Sequence, residues 1–196
     1  MIAVGLCRAE EAGEFDHVQT GPLALLWQPD GTDTDRLDRC LAAQEQLGAF
    51  LPFSPRQAPK LAAACDWIRP RIAALSAALD DLAGQGEMLV TLQPDTTGSG
   101  PPSSSGRDWL RQRTLQHARL REMQDCLRDL LPGAHLLPTS PGAPVEATVL
   151  LPPDLMHSHA KTLHAACPEG VDCRVSGPWP AFGYAAALTA RLTEPT

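Results

Sequence analysis

Gly84-Gln85-Gly86-Glu87-Met88-Leu89-Val90-Thr91-Leu92 is where one kind of local structure ends and another begins. Upstream, Leu61, Cys65, Ile68, Ile72, Leu75, Leu79 and Leu82 recur at alternating steps of four and three, which makes one continuous helical stripe. Pro59 is tolerated near the start of that helix, and Gly84 suits its C-cap. Pro70 lies inside it, so a kink or two abutting helices is expected. Glu87 to Leu92 then reads as a strand.

Downstream of Glu87 the pattern repeats in a definite order. Gly106 to Leu131 is a long helix with apolar contacts at Leu120, Met123, Leu127, Leu130 and Leu131, closed by Pro132-Gly133. Ala134 to Leu137 and Val145 to Leu151 read as strands, Pro153 opens a helix to about Ala166, and Val171 to Val175 is a last strand. Strand, helix, strand, strand, helix, strand is the order of a ferredoxin-like sandwich, two helices over one face of an antiparallel sheet. The run Gly98-Ser99-Gly100-Pro101-Pro102-Ser103-Ser104-Ser105 is then a loop within the first strand–helix connection.

Before Gly84 a smaller α+β unit is expected. Ile2 to Cys7 and Leu23 to Gln28, the second entered through Gly21-Pro22, read as strands. Asp33 suits the cap of a helix carrying Leu37, Cys40, Leu41 and Leu47, stopped by Gly48. The fold class predicted is α+β in two small domains, 1–84 and a ferredoxin-like 85–196 with a C-terminal tail.

Composition narrows the function. Sixteen Lys plus Arg against 23 Asp plus Glu give a net charge of −7, which argues against general nucleic-acid binding. Hydrophobic residues make up 43% and aromatics only 5%, so a core of Leu, Ala, Val and Ile is expected. Cys7, Cys40, Cys65, Cys126, Cys167 and Cys173 form no CxxC pair, and reduced thiols in the cytoplasm are the simplest account. Met1 to Cys7 has no basic n-region, and no apolar run reaches membrane-spanning length.

Few residues point to chemistry. His157, His159, His164, Cys167 and Cys173 fall within seventeen residues, yet their spacing does not converge four ligands as zinc sites do, and no metal site is expected. Gly84-Gln85-Gly86 lacks the following helix and Lys-Ser/Thr of a phosphate loop. Glu10-Glu11 and Asp80-Asp81 read as solvated acids. No catalytic residues and no cofactor are expected, and the chain reads as a non-enzyme. On the long helix, Arg107, Arg111, Arg113, Arg119, Arg121 and Arg128 alternate with Asp108, Glu122, Asp125 and Asp129. The plainer account is a solvated face of mixed charge; the functional one is a partner surface at Arg107, Arg111 and Arg119.

The most distinctive segment is Gly177-Pro178-Trp179-Pro180-Ala181-Phe182, a Trp held between prolines and suited to a rigid, docked plug. It resembles the Gly-Pro-Trp-Pro-Pro-Tyr-Ser-Phe signature of the gas vesicle accessory family GvpL/GvpF, with Ala181-Phe182-Gly183-Tyr184 replacing the last four residues. Leu51-Pro52-Phe53-Ser54-Pro55 resembles that family's Leu-Pro-Leu-Arg-Phe-Gly region without its Arg-Phe-Gly. Leu82 to Met88 and Arg107-Asp108-Trp109-Leu110 resemble its helix end and next helix start.

The resemblance implies two α+β domains and a structural or assembly role in building buoyant gas vesicles, as minor shell component or assembly chaperone. Implied partners are the hydrophobic major shell protein and other accessory proteins, with no nucleic acid or membrane. The implied location is the cytoplasm and the gas vesicle. Gly177, Pro178, Trp179, Pro180 and Phe182 carry the family signature, with Trp179 expected to be buried structure. On the residues alone a second reading stands: a small ferredoxin-like regulatory or ligand-binding protein using the 157–173 His/Cys segment.

Overall fold

In the computed structural model, which describes residues 1–54, 56, 58–94 and 105–193, the first strand lies in the interior of a four-stranded sheet. This strand, β1 (Ile2–Arg8), is buried at Ala3, Val4, Gly5, Leu6 and Cys7. Around it form β2 (His17–Thr20), β3 (Leu23–Gln28), α1 (Asp33–Gln46), β4 (Leu51–Pro52), α2 (Leu61–Ile68) and α3 (Ile72–Leu82). The sheet order is β2-β3-β1-β4.

Two strands here go beyond what the sequence suggests. The edge strand β2 carries a single apolar residue, Val18, and it is exposed, so no alternation marks it. It forms by pairing with β3 across the two-residue turn Gly21-Pro22, where Gly21 takes φ +63. Two-residue β4 is defined only by its pairing to β1, Gly5 with Pro52 and Leu6 with Leu51.

Both faces of this sheet are covered. Ala3, Leu6, Leu23 and Leu25 pack in one cluster with Ile68, Leu75, Leu79 and Leu82 of the predicted helical stripe. Val4, Cys7, Ala24 and Leu26 pack in the other with Cys40 and Ala43 of α1 and with Phe50. Strict alternation would put Ala3 and Leu6 on opposite faces. A register irregularity between Ala3 and Gly5 supplies the phase shift that brings both to the same cluster. A Cβ on Gly5 would lie 2.5 Å from the Phe50 ring and 2.6 Å from the Leu51 carbonyl oxygen, so only glycine fits there.

The helix boundaries follow local chemistry. The α1 cap falls on Thr32, one residue before the expected Asp33, because Thr32 and Asp35 form a reciprocal capping box. Pro70 divides the stripe into α2 and α3 through a single 3-10 turn, Arg69–Arg71. Gly84 at φ +68 ends α3 as a left-handed cap.

The second unit runs β5 (Gly86–Pro94), α4 (Gly106–Leu130), β6 (His135–Leu136), β7 (Val145–Leu151), α5 (Pro153–Ala166) and β8 (Val171–Trp179). Its sheet order, β6-β7-β5-β8, is that of the ferredoxin-like fold, with β6 antiparallel to β7. Its buried side chains include Met88, Val90 and Leu92 of β5, Val145 and Ala147 of β7, Met123 and Leu127 of α4, and Leu163 of α5. The glycine- and serine-rich loop expected between β5 and α4 lies outside the described residues up to Ser104.

Residues beyond Phe182, expected as a tail of the second domain, form a helix, α6 (Phe182–Thr193). By packing, 178–196 and 150–153 group with 1–87, and 88–149 and 154–177 form the other unit. The physical cause is burial: Ala181, Ala185 and Leu188 belong to the same cluster as Leu75 and Leu79.

Gly5→Ala is expected to destabilise the protein by about 1–3 kcal/mol through overpacking against Phe50. Urea unfolding checks it: the midpoint falls with the slope unchanged, and an unaltered midpoint would contradict the close approach.

Candidate functional site

The signature segment is built as a backbone device before it is anything else. Gly177 takes φ +142, a conformation that side chains disfavour. Pro178 is exposed on β8, an edge strand of its sheet, where a missing N–H is tolerated. Trp179 ends β8 half-buried, less enclosed than expected, while Pro180 and Ala181 are buried. Phe182, half-buried, packs against the Val4–Phe50 cluster and lines an open cavity of about 310 Å³ with Asp33, Leu37 and Arg56.

What fixes α6 is a residue to which the sequence alone assigns no function. Glu87, only 5% exposed, accepts backbone hydrogen bonds from Gly183 at 2.8 and 3.1 Å and from Tyr184 at 3.1 Å. A carboxylate thus satisfies N–H groups that the first turn of a helix leaves without partners, at the positive end of its dipole. Burial raises the Glu87 pKa, and the bonds from Tyr184 and Gly183 pull against that rise. Tyr184 also donates its hydroxyl to Asp81 at 2.9 Å; burial, with the Asp81 hydrogen bond and charge, pushes the phenol up to about 12. At the other end Arg71 donates to the Leu192 carbonyl oxygen at 3.3 Å while lying over the Trp67 ring. Of the signature residues, Pro180 is buried and Phe182 packs on a core cluster, whereas Pro178 is exposed and Trp179 half-buried.

The three arginines expected as a partner surface divide. Arg107 and Arg111 are exposed near the start of α4, as are all residues from Ser105 to Leu115. Arg119 instead pairs with Glu122 at 2.6 Å and donates to the Glu169 carbonyl oxygen, tying α4 to the loop after α5. Among them stand three apolar groups that their sequence positions do not mark as surface: Trp109 is 51% exposed, Leu110 60% and Leu115 63%. Arg113 lies over the Trp109 ring at 5.6 Å. Arg107, Arg111 and Arg113 face only Asp108 in this stretch, so the helix start is basic and apolar on an acidic chain. Trp and Arg together are the residue types enriched at protein interfaces.

Of the 157–173 segment, His157 and His164 are exposed on α5, and His164 bonds the Ala160 carbonyl. Among the described residues no group of three or more His, Cys, Asp or Glu is placed to hold a metal ion. Nor, among them, is any helix long and apolar enough to cross a membrane. An open cavity of about 530 Å³ is lined by Asp16, Asp30, Asp35 and Asp38; Arg39 is 3.9 Å from Asp16, and Thr32 bonds hold Asp35 below the usual carboxylate range.

The fold has solved counterparts. It is similar to the crystal structure of gas vesicle protein GvpF from Anabaena sp. PCC7120, with a TM-score of 0.65 at 10% identity, covering 94% of this chain and 97% of that one. It is equally similar to gas vesicle protein GvpF from Microcystis aeruginosa, with a TM-score of 0.64 at 12% identity, covering 94% and 98%. The chain has a GvpF-like α+β fold. No protein-family model and no curated protein matches it by sequence.

Glu87→Gln keeps an acceptor for α6 and removes the charge. The native carboxyl binds its proton more tightly folded than unfolded, so its contribution is full below the ordinary glutamate pKa and is lost as pH rises through the folded value. Urea titrations should show that decline in the native protein and a flatter profile in Glu87→Gln. Glu87→Ala should cost about 1–3 kcal/mol by leaving the half-buried Gly183 and Tyr184 N–H groups without this acceptor. Identical pH profiles for native and Gln variants would refute the assignment.

Proposed function

We propose that this chain is a gas vesicle accessory protein of the GvpL/GvpF type, acting in vesicle assembly by binding other gas vesicle proteins, and without catalysis. The observation that carries the reading is the likeness to two GvpF structures along nearly the whole of both chains, both described units included. The Gly177–Pro180 tetrad supports it from the sequence.

The start of α4 is the surface we assign to partner binding. Three exposed apolar side chains within seven residues are costly to leave in water unless something covers them. The major shell protein, a hydrophobic subunit, is the partner the family role implies. Trp109 and Leu110 would supply the apolar contact and the neighbouring arginines the polar rim. The net charge of −7 would help keep such a complex in solution.

A Trp109→Ala, Leu110→Ala double variant should fold with native stability, since both side chains are exposed. In a pull-down with the major shell protein its capture should fall about tenfold or more, a change of about 1.4 kcal/mol. Capture equal to the native protein's would remove α4 as the surface. A deletion strain that still makes normal vesicles would remove the function.

A further inference from the structure

The second unit has one long sheet edge, and the chemistry along it reads alike from both ends. The sheet order β6-β7-β5-β8 puts β8 outermost, with β5 as its one ladder neighbour among the described residues. The opposite edge, β6, is two residues long, whereas β8 runs for nine, so β8 is the edge able to template a further strand. Along it half-buried Val171, buried Cys173 and half-buried Val175 alternate with exposed Asp172, Arg174 and Ser176. The strand starts abruptly, because Val171 N–H bonds the Pro168 carbonyl oxygen at 3.2 Å and Gly170 takes φ +70.

Counting outward from Cys173 in Val171-Asp172-Cys173-Arg174-Val175 sets aspartate against arginine and valine against valine. Pro168 and Pro178 lie five residues to either side, and neither can donate to a ladder, so they bound the pairable stretch symmetrically. A two-fold axis pairs residues in this way: if one residue meets a second, the second meets the first.

We propose that β8 is a dimerisation edge, where a second copy of this chain adds antiparallel about a two-fold axis at Cys173. Asp172 of each copy then faces Arg174 of the other, Val171 faces Val175, and two four-stranded sheets become one of eight strands.

The charges select this occupant. An edge is ordinarily blunted by charges that a like strand meets as repulsion. Here Arg174 and Asp172 are 73% and 56% exposed and joined to each other, Nε to Oδ2 at 2.8 Å, so the edge carries both signs side by side. Opposite charges directly across a ladder stabilise it and like charges destabilise it. In the two-fold register each carboxylate stands between its own guanidinium and that of the copy. The same two residues fix that register. A slip of one copy by two residues moves the axis to Asp172 or to Arg174 and sets like charges face to face. Each copy carries a net charge of −7, so long-range repulsion opposes association and the dimer is of the weak, transient kind.

The test is sedimentation of the full chain at about 0.15 M salt, where repulsion beyond about 8 Å is screened. A monomer–dimer equilibrium should appear below about 1 mM protein. Asp172→Arg and Arg174→Asp each place like charges on both sides of the axis, and each should weaken the dimer about tenfold or more. Mixed together, the two variants should associate as the native chain does, since one presents two arginines to the two aspartates of the other. The double variant carrying both changes should dimerise alone. Hydrogen exchange of the native protein, which needs no variant to fold, should show the 171–176 amides gaining protection as concentration rises. A monomer at every concentration leaves the edge to a strand of some other protein and overturns the proposal. So does a dimer indifferent to both charge changes, or mixed variants that fail to associate. None of these outcomes depends on the gas vesicle role.

Discussion

The first-unit core depends on one buried carboxylate. Glu87 stands at the beginning of β5, directly after the chain leaves α3, and accepts the first free N–H groups of α6, almost a hundred residues later. Burying an acid is costly unless its oxygens are fully used, and here the helix N-terminus uses them. Once its first turn is pinned, α6 can only lay Ala181, Ala185 and Leu188 into the cluster formed by Leu75, Leu79 and Leu82. Arg71 closes the far end through the Leu192 carbonyl oxygen. The C-terminus thereby completes a core that the first 87 residues begin.

This arrangement gives the signature segment a physical meaning different from the one its appearance suggests. A Trp between prolines looks like a plug that seeks a pocket. In the fold it is the bend that delivers the chain from an edge strand to a helix start. Gly177 supplies a backbone angle, Pro180 and Ala181 are buried behind it, and Phe182 packs on the Val4–Phe50 cluster. The segment is distinctive because several unusual backbone demands fall close together: a positive φ at Gly177 and the fixed φ of Pro178 and Pro180.

The parts of the fold legible in the sequence are those whose information is local and periodic. The stripe from Leu61 to Leu82, its break at Pro70 and its stop at Gly84 need only spacing and two special residues. The same holds for α4, β7 and α5, whose order leads to the ferredoxin-like sheet. What escaped is defined by partners far along the chain. Polar β2 and two-residue β4 exist because β3 and β1 pair with them. In α6 the pattern is mostly small residues, and it becomes a helix with a place only when Glu87 is opposite it. Of the proposed surface, Arg107 and Arg111 were readable as exposed charge. The weight of Trp109, Leu110 and Leu115 was not, because apolar residues on a helix are ordinarily its core face.

Two halves of α4 therefore do different physical work on one continuous helix. From Met123 onward one face of it is core: Met123 and Leu127 are buried, and Arg128 is paired on the outer face with Asp125 one turn away. Before Gln116 every described residue is exposed, Ser105 caps the start through the Asp108 N–H, and the charge is basic. A helix of this length draws its stability from the packed half and from its cap, so the exposed half stays ordered without contacts of its own. Order without contacts is preorganisation: a partner docking there would not have to offset the entropy of forming the helix. The free energy that holds this surface in shape comes from elsewhere in the unit, which leaves its side chains open to meet a second protein.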